Sequence, residues 1–318
     1  MVAKLTDVAK LAGVSPTTVS RVINQKGYLS EKTIHKVKSA MKELGYKPNN
    51  VARSLQGKSA KLIGLIFPKI SHVFYAELID KLEHELFKHG YKTIICNSEH
   101  DSDKEREYIE MLEANQVDGI ISGSHNLDIE DYDRVTAPII SFDRNLSPDI
   151  PVVSSDNYAG GVLAAETLVK SGAKKIVMIT GNDNSNSPTG LRHAGFASIL
   201  PTAPIINVSS DFSPIRKEME IKNILTNQKP DAIFASDDLT AILIMKVAKE
   251  LHLQLPQDLK VIGYDGTYFI ENYYPDLTTI KQPLEDIAIL SVDLLLQKIS
   301  GKEVKTTGYF LPVTLLPG

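Results

Sequence analysis

From Lys61 onward the chain repeats one pattern, a short apolar run followed by a longer stretch whose apolar residues recur at helical spacing. The runs are KLIGLIF, KTIICNS, GIISGS, PIISFD, KIVMITG, PIINVSS, DAIFAS and KVIGYD. This alternation restricts topology severely, because strands joined through a helix lie parallel in one sheet with the helices on its faces. The repeating part spans residues 61 to 318, more than one core of ordinary size. Two doubly wound parallel-sheet lobes facing each other across a cleft satisfy both constraints. Ligands of such sheets bind outside the carboxyl ends of the strands.

Those strand ends carry Ser122, Asp143, Asp156, Asp183, Asp237 and Asp265. Each aspartate alone suits a helix cap or loop. Several at equivalent positions suit a hydroxyl-rich ligand, because carboxylates accept hydrogen bonds from neighbouring hydroxyls. Phe74 and Tyr75 open the helix after the first run and could cover the apolar face of a sugar ring, or belong to the core. The loop GNDNSNSPTG can donate hydrogen bonds to a hydroxyl or a phosphate. Cys96, the single cysteine, lies in an apolar run and reads as a small buried residue.

The first 58 residues are different. They hold 11 Lys and Arg against 3 Asp and Glu, a balance of +8, whereas the remainder holds 24 against 36, a balance of −12. A basic segment on an acidic body is the footprint of a nucleic-acid-binding head. The segment is also patterned to fold. Leu5, Val8, Ala9 and Ala12 form one helical stripe, and Gly13 ends it. Ser15 is an N-cap and Pro16 a first helical residue, so a second helix runs to about Val22. A third starts at the Ser30 cap, buries Ile34, Val37, Met41 and Leu44, ends at Gly45, and shows Lys32, Lys36, Lys38 and Lys42 outward. Two short helices across a glycine turn, braced by a third, make a helix-turn-helix. The second helix presents Thr17, Thr18, Ser20 and Arg21 for bases or phosphates. Pro48 stops the third helix, and Asn49 or Asn50 can cap a short one through Leu55, too short to be stable alone.

The segments LTDVAKLAGVSPTTVSRVIN and GYKPNNVARSL closely resemble the start of LacI/GalR-type bacterial transcription regulators, and the rest of the chain is similar to that family to its end. Lys4 departs from the threonine cap common in relatives. The resemblance implies an all-α helix-turn-helix DNA-binding head on an α/β periplasmic-binding-protein-like body of two lobes. It implies DNA contacts by Thr6, Ser15, Pro16, Thr17, Thr18, Ser20, Arg21, Asn24, Asn50, Ala52 and Arg53. It also implies that Leu55 of a hinge helix wedges between base pairs from the minor groove. Effector positions of the family fall on Asp143, Arg192, Asp237, Asp265 and Gln282; Arg144, next to Asp143, is a secondary candidate, as are Phe74 and Tyr75 from the stacking argument above. The expected boundaries are 1–48 for the head and 49–59 for the hinge. The lobes are expected at 60–157 with 284–309, and 158–283 with 310–318. The segments IFPKISHVFYAELI, NDNSNSPTGLR and ENYYPDLTTIKQP look most like the sucrose-operon repressors of Gram-positive bacteria.

The resemblance therefore implies a cytoplasmic repressor bound to palindromic double-stranded operator DNA and released by sucrose, sucrose 6-phosphate or fructose. A homodimer is expected, since YFLPVTLLPG is not a heptad-repeat tail. The alternative is a global catabolite regulator activated by a phosphorylated carrier protein, and a further one is a sugar-binding protein or sugar-processing enzyme. Against an enzyme, the sequence lacks a phosphate-binding Walker loop, a G-x-S-x-G elbow and a G-x-G-x-x-G after a strand. His84 and His89 in HELFKH stand about 140° apart on a helix, not on one face as zinc helices require. No cofactor or metal is expected, and no apolar run suits a membrane helix.

Overall fold

The computed structural model describes residues 3–23, 27–46, 59–124, 126–127, 129–181, 187–306 and 308–318. The chain divides into two units, Met1–Ala60 and Lys61–Gly318.

The first unit has three helices, α1 (Leu5–Ala12), α2 (Pro16–Ile23) and α3 (Glu31–Glu43). Lys4 supplies no side-chain cap to α1; instead its backbone N–H donates to the Asp7 carboxylate at 2.8 Å. The helix thus starts where the apolar stripe demands. Gly13, at φ +64°, ends it, a conformation glycine adopts without steric cost. The Ser15 hydroxyl accepts from the Thr18 N–H at 3.1 Å, and Ser30 from Thr33 at 3.3 Å, so both expected caps form. Val8, Ala9, Ala12, Val19, Val22, Val37 and Ala40 are the buried core. Leu44 corrects the expectation: α3 stops one residue before it, and it remains 36% exposed.

The second unit contains two six-stranded sheets. The first runs β11-β5-β4-β3-β1-β2, formed by β1 (Leu62–Phe67), β2 (Lys92–Asn97), β3 (Gly119–Ser122), β4 (Ile139–Phe142), β5 (Val152–Ser155) and β11 (Tyr309–Leu311). The second runs β12-β10-β9-β8-β6-β7. Its strands are β6 (Ile176–Thr180), β7 (Ile205–Asn207), β8 (Ala232–Ala235), β9 (Lys260–Asp265), β10 (Thr278–Lys281) and β12 (Thr314–Leu316). Every pairing is parallel except that of β12 with β10. Both sheets are wound alike, the second strand of each flanking its first and the others filling the opposite side, so each has a topological switch point beside its first strand.

The helices follow the same repetition. With the first sheet go α4 (Val73–Lys88), α5 (Ser102–Ala114), α6 (Ile129–Asp133) and α12 (Leu284–Ile299); with the second go α7 (Asn157–Lys170), α8 (Pro188–Ile199), α9 (Pro214–Asn227), α10 (Asp238–Glu250) and α11 (Tyr268–Tyr273). Alternation along β1 sends Ile63, Leu65 and Phe67 to the face covered by α4 and α12, and Ile66 to the face covered by α5. In β6 it sends Val177 and Ile179 toward α9 and α10, and Ile176 and Met178 toward α7 and α8.

The chain passes between the sheets after Ser155, after Lys281 and after Leu311. The last crossing lies beyond the expected boundary at residue 309, because Phe310 and Leu311 pair with Ser154 and Ser155 in the first sheet. Four strands were absent from the sequence-based set: β5, β10, β11 and β12 have three or four residues each. Among the described residues no helix is long and apolar enough to cross a membrane.

Candidate functional site

In the head, α2 buries Val19 and Val22 and turns its other side out. Thr17 and Arg21 are exposed and Ser20 is half-buried. Thr18 is committed to the cap, its hydroxyl 2.9 Å from that of Ser15, so Thr17 is the freer of the two threonines. Thr6, Ser15 and Pro16 are exposed at the starts of α1 and α2. Asn24, Asn50, Ala52, Arg53 and Leu55 lie outside the described residues, as does Asp183.

In the body, the carboxyl ends of the strands are joined by one hydrogen-bonded chain of side chains. Asp143 follows β4 at φ +70° and Asp265 ends β9 at φ +123°, backbone that a non-glycine residue adopts at a cost of about 1 to 3 kcal/mol and that clusters at functional sites. The Ser154 hydroxyl donates to Asp143 at 2.6 Å, and the Asn157 amide bridges Ser154 and Asp143 at 3.1 and 3.3 Å. The Asn157 carbonyl in turn accepts from Arg192 Nε at 2.8 Å. Arg192, only 6% exposed, also donates through Nη1 to the Ser236 carbonyl at 2.7 Å and lies 3.9 Å from the Asp265 carboxylate. Its guanidinium stacks 3.7 Å from the centre of the Tyr264 ring. Gln282 closes the chain, donating to Asp265 at 2.8 Å and accepting from the Ser155 hydroxyl at 2.7 Å. Residues of both sheets and of two interlobe crossings thus share one polar network.

Asp143, Arg192, Asp265 and Gln282 therefore sit together, as the sequence suggested. Tyr75 and Arg144 stand beside them, within electrostatic reach of Asp143. Asp237 caps α10, accepting from the Thr240 N–H and hydroxyl, both at 2.8 Å. Phe74 is elsewhere: on the inner side of the first turn of α4, it is 5% exposed and packs on Phe142 at 5.9 Å between centroids. It belongs to the core, not to an aromatic edge.

Ser154, Ser155, Asn157, Tyr264 and Asp238 were missed. Asp238 is buried behind the turn after β9 and accepts from the Gly266 N–H at 2.7 Å and the Thr279 hydroxyl at 2.5 Å. Burial pushes it up to about 7. Burial also raises Asp143 and Asp265, opposed most by Arg192, and lowers His72.

Among the described residues, three buried side-chain polar atoms have no hydrogen-bond partner: His72 Nδ1, Tyr264 Oη and Thr267 Oγ1. All three belong to segments at the carboxyl ends of β1 and β9. A buried polar atom left without a partner costs about 1 to 3 kcal/mol, so these side chains keep hydrogen-bonding capacity that is not spent within the protein. Across the same opening, the N–H of Tyr268 in α11 donates to the Glu77 carboxylate in α4 at 2.7 Å, joining one lobe to the other.

Comparison with known proteins gives these features a context. The family described as bacterial regulatory proteins, lacI family, matches residues 4–49, and the periplasmic binding protein-like domain matches residues 165–318. The sucrose operon repressor of Streptococcus mutans is 70% identical over 318 residues, covering 100% of this chain and 99% of that protein. The chain belongs to the LacI family. Within that family, the sucrose operon repressor of Lactococcus lactis is 56% identical over 98% of both chains. The lac repressor dimer bound to operator and the anti-inducer ONPF superimposes with a TM-score of 0.85 at 31% identity, covering 99% of this chain and 98% of that one. A LacI-family helix-turn-helix head and a two-lobed periplasmic-binding-like body are thus both present, and the polar network lies where the strands of that body end.

Proposed function

We propose that this protein represses a sucrose-utilisation operon and that a sugar bound between the lobes releases it from its operator. The observation that carries the effector half of this reading is the side-chain chain from Asp143 through Asn157 and Arg192 to Asp265, which couples the two lobes. Acidic and amide oxygens along it accept from sugar hydroxyls, and Arg192 can donate to them. Support for the regulated operon comes from the 70% identical Streptococcus mutans relative, named a sucrose operon repressor.

On this reading Thr17, Ser20 and Arg21 contact bases in the major groove, with Thr6, Ser15, Pro16 and Thr18 positioning the head on the backbone. Residues 49–59 serve as the hinge, with Leu55 as a minor-groove wedge and Asn50, Ala52 and Arg53 along the groove wall. Two copies bind the two halves of a palindrome. An effector that touches Asp143 from one lobe and Arg192 and Asp265 from the other favours one interlobe arrangement, and operator affinity follows by linkage, typically by about 1 to 3 kcal/mol.

The test is a titration of the full chain against a palindromic operator upstream of a neighbouring sugar-uptake gene, with and without sucrose, sucrose 6-phosphate and fructose. Release by one of these sugars is the expected result. Tight binding that no sugar weakens, but that a phosphorylated carrier protein strengthens, would overturn the inducer reading in favour of a catabolite regulator.

A further inference from the structure

Two consecutive aspartates stand at the start of α10, and they serve different neighbours. Asp237 caps the helix, accepting from the Thr240 N–H. Asp238, only 1% exposed, turns to the sheet. One of its oxygens lies where Gly263 of β9 pairs with Thr279 of β10. It accepts from the Thr279 hydroxyl at 2.5 Å, and a Cβ on Gly263 would run into it. The carboxylate thus fills space that only a glycine leaves open. The other oxygen accepts from the Gly266 N–H at 2.7 Å.

That N–H belongs to the peptide joining Asp265 to Gly266, and the carbonyl of the same peptide accepts from the Gln282 N–H at 3.0 Å. Both ends of one peptide plane are therefore held, one by Asp238 and the other by Gln282. Asp265, before it, has φ +123°, and Gly266, after it, has φ +60°. Strained backbone of this kind persists only where its surroundings over-determine it, and a glycine on one side would otherwise let the peptide turn over. The next hydroxyl along, that of Thr267, has no partner and holds nothing. We infer that Asp238 is a positioning residue of the cleft: by fixing the Asp265–Gly266 peptide it holds the Asp265 carboxylate toward Arg192 and Gln282, without itself touching the effector. This rests on the effector reading above and deepens the part Asp265 plays in it. The role is one of hydrogen-bond geometry, not of charge. Burial raises the Asp238 carboxyl to about 7, and in its protonated form it can donate to the Thr279 oxygen while still accepting from Gly266. An asparagine can do the same.

Calorimetric titration of the full-length protein with sucrose, sucrose 6-phosphate and fructose tests this. Asp238→Ala should weaken whichever of these binds by about tenfold or more, and Asp238→Asn should restore affinity to within about threefold of wild type. Operator affinity without sugar should be the same in both variants as in wild type. Wild-type sugar affinity in Asp238→Ala, or an equal loss in both variants, overturns the inference. If Asp238→Ala does not fold, Gly263→Ala, which displaces the carboxylate without removing it, should show the same loss, and normal affinity there overturns the inference. If none of the three sugars binds the wild type, the effector reading falls, and the crystal structure of Asp238→Ala decides the positioning role. The expected result there is a turned Asp265–Gly266 peptide that has lost the Gln282 N–H; an Asp265 unchanged at positive φ overturns the inference.

Discussion

Arg192 is the residue on which the cleft turns, since it alone connects Asn157, Ser236, Tyr264 and Asp265. Arg192→Ala leaves a buried amide and carboxylate without their donor, so effector affinity should fall by about tenfold or more, measured by calorimetry, while operator affinity in a gel-shift assay stays near wild type. Asp238 makes a pH prediction. Its carboxyl is raised from an ordinary 3.8 to about 7, chiefly by burial. Between these values the folded protein holds a proton that the unfolded chain has released, so this contribution is fully present below about pH 4 and is lost as pH rises through 7, by about 4 kcal/mol at most. Melting temperature measured from pH 5 to 8 should decline less steeply in Asp238→Asn than in wild type. An identical slope would show that Asp238 does not carry the titration. Asp143, Asp265 and Gln282 were legible because family motifs surround them. Asn157 was not, because only folding brings it beside Ser154, and Asp238 was hidden by its neighbour Asp237, the more obvious cap.

At the scale of elements, the second lobe depends on a close crossing of α7 and α8. A Cβ on Gly161 would run into the Arg192 carbonyl, and one on Gly195 into that of Tyr158. Gly161→Ala and Gly195→Ala should each destabilise the body by about 1 to 3 kcal/mol in urea unfolding. Gly161→Ala should also weaken effector binding, because the helix it displaces carries Arg192. Normal affinity in a destabilised Gly161→Ala protein would separate the crossing from the site. Apolar runs and capped helices were readable from sequence: the eight apolar runs became strands, and the caps Ser15 and Ser30 set their helices. Polar and edge strands were not. VVSS and TTIK carry at least as much polar as apolar character, and their identity as strands comes from neighbours already in place. Leu44 misled for a related reason, since spacing extends a stripe past the point where a helix ends.

For the whole molecule, the bond between Glu77 and the Tyr268 N–H spans the lobes away from the chain crossings. Glu77→Ala should shift the lobes toward an open arrangement and weaken effector binding about threefold to tenfold, with little change in melting temperature, as befits a partly exposed charged hydrogen bond. Unchanged affinity would mean that the bond does not distinguish the two arrangements. The sequence made the two-lobed plan readable through its repetition, but not the position of the third crossing, which two residues of edge pairing decide. That crossing also bears on how the protein is made. The first lobe needs α12 and β11, and both are translated only after all of the second lobe but its edge strand β12. During synthesis, Leu78, Leu82 and Leu86 of α4 must therefore wait, uncovered, for Ile287 and Val292, while the later lobe can be assembled except for its own edge strand. A nascent chain of this kind is most exposed to aggregation and chaperone capture just before its final segment leaves the ribosome.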